Sequence, residues 1–138
     1  PDLRNVMSSI KASFSFSSQN ALSYAINLVK SFTGVADSGH SIRSKVTSVS
    51  LGNAGDVTIA KANDKTDVAY VYLCNLDPEK ENYVYIYTGG ITVAKVGGGE
   101  FAFIPANPAI DLKVYGTKSG QMIEYGSFGV DDTQAKLG

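Results

Sequence analysis

The sequence predicts an all-β protein: one antiparallel β-sandwich or barrel-like, jelly-roll-like domain with a Ser-rich N-terminal extension. Short apolar runs recur through residues 46–128, with turn residues between them about every 8–12 residues. No gap there is long enough for a helix, which excludes parallel β-α-β units. The 138 residues are 43% hydrophobic and 18% charged. A chain of this length and composition can bury one core, and its composition is not that of a disordered protein.

Residues 1–45 differ in composition from the rest and are predicted to form an N-terminal arm or extra strands of the same sheets. They contain five basic and two acidic residues, a net charge of +3, whereas residues 46–138 contain seven and eleven, a net charge of −4. Ser alternates with apolar residues over 11–17, which predicts a strand. Residues 21–29 fit a strand or a helix, and their complete alternation favours the strand. Residues 31–44 are predicted as a loop.

Residues 46–130 are predicted to form the sandwich, and residues 131–138 a flexible C-terminal tail. Turn residues separate the strands, and the triplet at 97–99 is predicted as a hairpin turn because a strand, not a helix, follows it. The predicted strands cover residues 46–51, 57–60, 68–76, 83–88, 91–96, 100–104, 109–115 and 121–128.

The strand at 100–104 is apolar on both faces. Phe101 and Phe103 share one face, and Ala102 and Ile104 share the other. One of these faces is expected to pack in the core. The other is expected to meet a second layer, which is either the N-terminal strands or a neighbouring subunit.

The rare residue types argue against an enzyme. The chain has one Cys, one His and no Trp, so neither an internal disulfide nor a four-ligand zinc site of Cys and His is expected. His40 lies in a small polar segment and is predicted to be a solvated loop residue, because a catalytic base must be held rigidly. Cys74 lies in a strand-like run and is predicted to be a small buried hydrophobe. We therefore predict no catalytic residues.

Charge and hydropathy limit the partners. A net charge of −1 lacks the basic excess typical of nucleic-acid binding, and no apolar run reaches about 18 residues, so no membrane span is expected. The acidic turns at 64–67 and 77–81 do not match a calcium-binding loop and are predicted as solvated turn charges. No metal, cofactor or small-molecule substrate is predicted.

Tyrosine is the unusual residue, with eight copies. Tyr70 and Tyr72 share one strand face, as do Tyr83, Tyr85 and Tyr87. If the turn at 77–82 paired the two strands antiparallel, the five rings would form one cross-strand surface. They are either ordinary strand residues or a contact surface, since Tyr is enriched at interfaces. The predicted interface residues are Arg4, Phe14, Phe16, Arg43, Tyr70, Tyr72, Tyr83, Tyr85 and Tyr87.

The second half of the chain resembles a family of small β-rich structural proteins of tailed bacteriophages, especially marine phages. The resemblance rests on a strand ending in Asn at 70–75, on Gly-Glu-Phe-Ala-Phe-Ile-Pro at 99–105, on the apolar strand at 111–116 and on Ile-Glu-Tyr at 123–125. The Ser-rich opening with residues 21–26 is more weakly similar.

The resemblance implies a non-enzymatic protein of the virion, assembled in the cytoplasm of the host bacterium. Such proteins are capsid decoration (cement) proteins or head and tail accessory subunits, and the position in the particle stays open. The expected partners are the major capsid protein or other virion proteins, and further copies of the chain. The alternative is a receptor- or glycan-binding adhesin module of a tail or fibre.

Overall fold

The computed structural model describes residues 8–19, 26–36, 39–62 and 69–128, and every regular element in these ranges is a β-strand. The chain divides into two compact units, Pro1–Asp37 and Ser38–Gly138. The strands are β1 (Ser8–Ser18), β2 (Ile26–Ala36), β3 (Gly39–Val46), β4 (Val57–Ala60), β5 (Ala69–Asn75), β6 (Val84–Thr88), β7 (Ile91–Val96), β8 (Phe101–Ala106), β9 (Leu112–Gly116) and β10 (Gln121–Phe128).

The smaller unit contains one antiparallel pair, β1 with β2, in unbroken register from Ser8 opposite Ala36 to Ser18 opposite Ile26. We call this pair the hairpin. The strand interpretation of residues 26–29 is confirmed, and residues 20–25 lie outside the described residues. The predicted loop at 31–44 was wrong, because β2 and β3 occupy most of it. The Gly and Ser residues that suggested a loop lie in paired strands instead.

The larger unit is a sandwich of two four-stranded antiparallel sheets. The first sheet has the order β3-β10-β5-β8 and the second the order β4-β9-β6-β7. Successive strands alternate between the sheets, except that β6 and β7 form a hairpin in the second. This is the strand order of the eight-stranded jelly roll, and it confirms the predicted fold class. β3 pairs with β10 along its whole length, so residues 39–45 belong to this sandwich.

The core lies between the two sheets and is aliphatic. β5 alternates strictly along its whole length and β10 alternates from Gln121 to Tyr125, with every second side chain buried. The inward residues of β5 are Val71 and Leu73, each at most 1% exposed, and those of the second sheet include Ile86 and Val114, which are fully buried. Burial of such side chains, worth roughly 1.5–3 kcal/mol each, holds the layers together.

Polar side chains at two points of the core tie strands and loops together. The Oε1 atom of Gln121, a residue 1% exposed, accepts hydrogen bonds from the amides of Thr117 and Lys118 at 2.8 and 3.0 Å, and its Nε2 donates to the Tyr83 carbonyl at 3.2 Å. Ser127 on β10 donates to the carbonyl of Ile59 on β4 and so links the two sheets. These bonds give the buried polar side chains of Gln121 and Ser127 the hydrogen-bond partners that burial requires.

Two further expectations need correction. The predicted strand at 46–51 ends at Val46, because Ser48 Oγ donates to the Ser50 carbonyl at 2.6 Å and the Asp56 carboxylate accepts from the Gly52 amide at 3.1 Å. Such side-chain bonds compete with a ladder. His40 lies in β3, opposite Ser127, and not in a loop. The predicted tail at 131–138 lies outside the described residues.

The glycine triplet at 97–99 is not a hairpin turn, because β7 and β8 lie in different sheets. It is a crossing between sheets that fits against the 76–83 connection. A Cβ atom on Gly98 would lie 2.1 Å from the Glu79 carbonyl oxygen and 2.6 Å from that of Asp77. The glycine is therefore required for close approach of two backbones. In the part of the chain that the structure describes, no helix has the length and apolarity that a membrane crossing requires.

Candidate interaction surfaces

The hairpin has one apolar and one polar face. Opposite pairs such as Phe14 with Lys30, Phe16 with Leu28 and Ala12 with Phe32 place their side chains on one side. The other side carries Ser13, Ser15, Ser17, Ser31, Thr33, Lys11, Asn27 and Val29. We call the first side the apolar face of the hairpin. It unites the predicted interface residues Phe14 and Phe16.

Three large side chains on the apolar face of the hairpin are about half exposed. Phe14 is 51% exposed, Phe16 46% and Leu28 51%. A two-stranded hairpin is marginally stable in water unless another layer covers its apolar side. Exposed contiguous apolar surface of this kind marks a contact site.

The outward side of the first sheet is rich in aromatic side chains. β5 and β8 place Tyr70, Tyr72, Cys74, Phe101 and Phe103 there. Tyr72 lies opposite Phe103, Cys74 opposite Phe101 and Tyr70 opposite Pro105. Tyr70 and Phe103 stack with ring centroids 6.0 Å apart and planes 11° apart. Phe101 is 60% exposed. We call this group the first outer face.

Charged residues continue the first outer face toward β3. Arg43 Nε donates to Glu124 Oε2 at 3.2 Å, and Tyr72 Oη donates to Glu124 Oε1 at 3.5 Å. Burial, and then the neighbouring Cys74 and Glu124, together raise the pKa of Tyr72 to about 12. A phenol that stays protonated keeps this face free of an extra negative charge. Cys74 is half-buried on this face, so its predicted place in the core was wrong.

The outward side of the second sheet carries a tyrosine cluster. Tyr85 and Tyr115 lie opposite each other on β6 and β9 and stack at 4.9 Å, and Tyr87 meets Tyr115 edge-on at 5.6 Å. Lys95 Nζ lies 4.1 Å from the ring centroid of Tyr83, a cation–π distance. We call this group the second outer face.

Tyr87 is the buried member of that cluster. It is 4% exposed, and its hydroxyl donates to Asp56 Oδ2. Burial and the Asp56 carboxylate both raise the pKa of Tyr87. Its hydroxyl therefore anchors the loop that contains Asp56 and is not presented to a partner.

The predicted surface of five tyrosines was wrong. β5 and β6 do not pair, because the 76–83 connection crosses from the first sheet to the second. Tyr70 and Tyr72 therefore lie on one outer side of the sandwich, and Tyr83, Tyr85 and Tyr87 on the opposite one. Tyr115 joins the second group. Tyr115 follows the apolar Val114 in its strand, so the two side chains lie on opposite faces and Tyr115 faces outward. The sequence could not show that β9 lies beside β6.

The acidic turn at 77–82 is partly structural. Asp77 is 8% exposed, and its Oδ1 atom accepts from the Glu79 amide at 2.9 Å and from Asn82 Nδ2 at 3.0 Å. The Glu79 amide, then Asn82, hold the pKa of Asp77 below its usual value, and Lys118 adds to this from 3.9 Å. The prediction of a solvated charge was therefore wrong for Asp77.

Of the two predicted interface arginines, the structure describes only Arg43. Arg43 lies on the outward side of β3, in the ion pair with Glu124. Arg4 and the acidic residues at 64–67 lie outside the described residues. Within the described ranges, no three His, Cys, Asp or Glu side chains come together as a metal site would require.

No family model, no curated protein and no solved structure matches the chain.

Proposed function

We propose that the protein is a non-enzymatic structural component of a tailed-phage virion, a capsid decoration (cement) protein or a head or tail accessory subunit. The observation that carries the proposal is the hairpin, whose apolar face is half exposed at Phe14, Phe16 and Leu28. A segment that cannot cover its own apolar side needs a protein surface to lie on. Virion subunits meet such surfaces on the capsid, on the tail and on each other.

The sandwich supports the same function. Both of its outer faces carry aromatic side chains of the kind enriched at protein interfaces, such as Phe101 and Tyr85. Jelly rolls also recur among viral capsid domains, although a fold alone does not set a role. The resemblance of residues 68–128 to phage structural proteins points in the same direction.

Quantitative mass spectrometry of gradient-purified particles tests the proposal. We expect the chain at a fixed copy number per particle that survives a high-salt wash, because apolar contacts are not screened by salt. The hairpin variant F14S/F16S should be reduced at least tenfold in particles, whereas V29S, a matched change on the polar face, should be incorporated normally. Absence of the wild-type chain from particles would refute the proposal.

The second outer face favours a second candidate function, glycan or receptor binding. Tyr85 and Tyr115 form a stacked pair, and Thr92 Oγ1 lies 3.2 Å from the Tyr115 hydroxyl. A flat aromatic surface with hydroxyls at its rim suits a sugar ring, and jelly rolls include lectins.

A glycan array with the purified chain separates the two functions. If the second outer face is a glycan site, Y85A should abolish binding and Y70A, the same change on the other side of the sandwich, should leave it intact. No binding by the wild-type chain would contradict the glycan-binding function.

A further inference from the structure

Among the strands that the structure describes, β3 is the one sandwich edge without a proline, a register shift or a very short length. β3 and β8 end the first sheet, and β4 and β7 end the second. β8 contains Pro105, which has no N–H to donate, β4 has only four residues, and β4 and β7 each contain or face a register shift. β3 pairs with β10 through eight residues without a shift. Its outer edge therefore presents a regular row of main-chain groups to which another strand can be added.

We propose that the β3 edges of two copies pair antiparallel about a two-fold axis at Ile42. The first sheets of the two copies, with four strands each, then join into one continuous sheet. The same edge meets itself, so the contact closes as a dimer. This inference goes beyond the proposed function, because it names a partner and a register and holds whether or not the protein belongs to a virion.

Ile42 forms the centre of the proposed contact. It lies opposite Tyr125 of β10 and continues the inward alternation of Ser44 and Val46. Val46 is fully buried, yet Ile42 is 51% exposed. An axis at Ile42 places its side chain directly opposite that of its copy. Opposite Cβ atoms on one face lie about 4.5–5.5 Å apart, so the two isoleucines cover each other where the sheet edge leaves them open.

Charge disfavours the neighbouring registers. Residues opposite each other in a ladder lie on the same face of the sheet, so the two-fold axis passes between one residue of β3 and its copy. An axis at Arg43 or Lys45 would place two identical cations opposite each other, and an axis at Ser44 would place Arg43 opposite Lys45 twice. Like charges directly opposite destabilise a sheet. Glu124, the counter-charge of Arg43 at 3.2 Å, lies on β10 and not between the copies.

The axis at Ile42 keeps the cations apart. It places Arg43 opposite Ser41 and Lys45 opposite Gly39. It pairs about seven residues of each strand, whereas an axis at Ser41 would pair about five, and a longer ladder forms more main-chain hydrogen bonds. The β3 edge is therefore complementary to itself in this register, which selects a second copy as the occupant.

Charge variants of Ile42 test the pairing. Light scattering with size-exclusion chromatography over a concentration series should give a wild-type dimer of twice the chain mass of 14.6 kDa. Ile42→Lys and Ile42→Glu each bring two like charges together on the axis, so each should raise the dissociation constant at least tenfold. An equal mixture of the two should associate again, because the axis then joins opposite charges.

Val93 provides the matched control on another sheet edge. It is 54% exposed on β7, so Val93→Lys and Val93→Glu make the same changes away from β3. Both should dimerise like the wild type. Near-UV circular dichroism of the tyrosines verifies that every variant keeps its sandwich.

Oxidative cross-linking tests the register. In a Cys74→Ala background, Ile42→Cys should form a disulfide-linked dimer, because the two thiols lie directly opposite each other. Ser44→Cys, on the same face of β3, lies about 14 Å from its copy in this register and should form far less.

Three results would overturn the proposal: a wild type that is monomeric up to millimolar concentration, a mixture of the two Ile42 charge variants that stays monomeric, or more cross-linking from Ser44→Cys than from Ile42→Cys. A chain that is monomeric in solution but present at fixed copy number in particles would refute this pairing and leave the proposed function standing. A dimer that is absent from particles would do the reverse.

Discussion

Buried polar side chains fix the corner where the chain crosses between the sheets. Asn75 is fully buried at the end of β5. Its Nδ2 atom donates to the carbonyls of Asn82 at 2.8 Å and Val96 at 3.0 Å, and its Oδ1 accepts from the Asp77 amide at 3.1 Å. One side chain thus holds β5, β7 and the 76–83 connection together. Asn75 continues the inward alternation of Val71 and Leu73, but periodicity gives no reason for an amide at this position.

We expect Asn75→Ala to lower the free energy of unfolding by about 3 kcal/mol, because it leaves buried carbonyls and an amide without partners. Urea denaturation followed by tyrosine fluorescence measures this. Asn107→Ala is the matched control. Its Oδ1 also accepts a backbone amide, that of Ala109 at 2.9 Å, but at an exposed turn, so the loss should be about 0.5 kcal/mol. Equal losses for the two variants would contradict the structural role of Asn75.

Asp77 makes stability depend on pH in a defined direction. Its pKa is lowered in the folded state, so the folded protein binds fewer protons than the unfolded chain, whose Asp titrates near pH 3.9. The stabilisation is complete above that pH and is lost as the pH falls through the folded pKa. Asp77→Asn should therefore destabilise at pH 7 and differ less from the wild type at pH 3, as measured by urea titration at both values.

The control for Asp77 is Glu81→Gln in the same turn, where the side chain is exposed. It should leave the pH dependence of the wild type unchanged. A gap between Asp77→Asn and the wild type that stays constant from pH 7 to pH 3 would show that the carboxylate charge is not the cause.

The elements that could be predicted are those with strict alternation and clear turns. The strands at 57–60, 91–96 and 121–128 have the predicted limits, because burial on one face and Gly or Asp at the ends both mark them. Residues 31–36 were wrongly predicted as a loop because of their Gly and Ser residues, since the sequence does not show that they pair with β1. The pairing of β5 with β6 was also wrong. Turn residues mark where a strand ends but not which sheet the chain enters next.

The two crossing connections that meet at Gly98 give a sharp test of this arrangement. Gly98→Ala should destabilise the sandwich by at least about 3 kcal/mol, because its Cβ would overlap two backbone carbonyl oxygens that cannot move independently. Gly90→Ala, in the hairpin between β6 and β7, has no heavy atom within 4 Å of the added Cβ and should change stability by less than about 1 kcal/mol. Thermal unfolding of both variants measures the difference. A neutral Gly98→Ala would mean that the two connections are not packed together.

At the scale of the whole molecule, the protein combines a closed core with open surfaces. The sandwich buries its aliphatic residues between two sheets, and its outward sides carry aromatic ones. The hairpin is amphipathic yet exposed. The sequence predicted the apolar character of Phe14, Phe16 and Phe101, because alternation is local. It could not predict which surfaces lie on which side of the sandwich, because that depends on the jelly-roll strand order.

The charge distribution supports this division of roles. Residues 8–36 contain two lysines and no acidic residue, whereas the rest of the chain carries a net charge of −3. Under the proposed function, the exposed aromatic and aliphatic side chains of these surfaces are the groups that would contact other virion proteins.

The most direct test of this account is an add-back experiment. Particles that lack the protein are mixed with increasing amounts of the purified chain, and the bound copies per particle are measured after sedimentation. We predict saturable binding at a fixed stoichiometry by the wild type and V29S, and at least tenfold weaker binding by F14S/F16S. Unsaturable or absent binding by the wild type, or equal binding by all three chains, would contradict it.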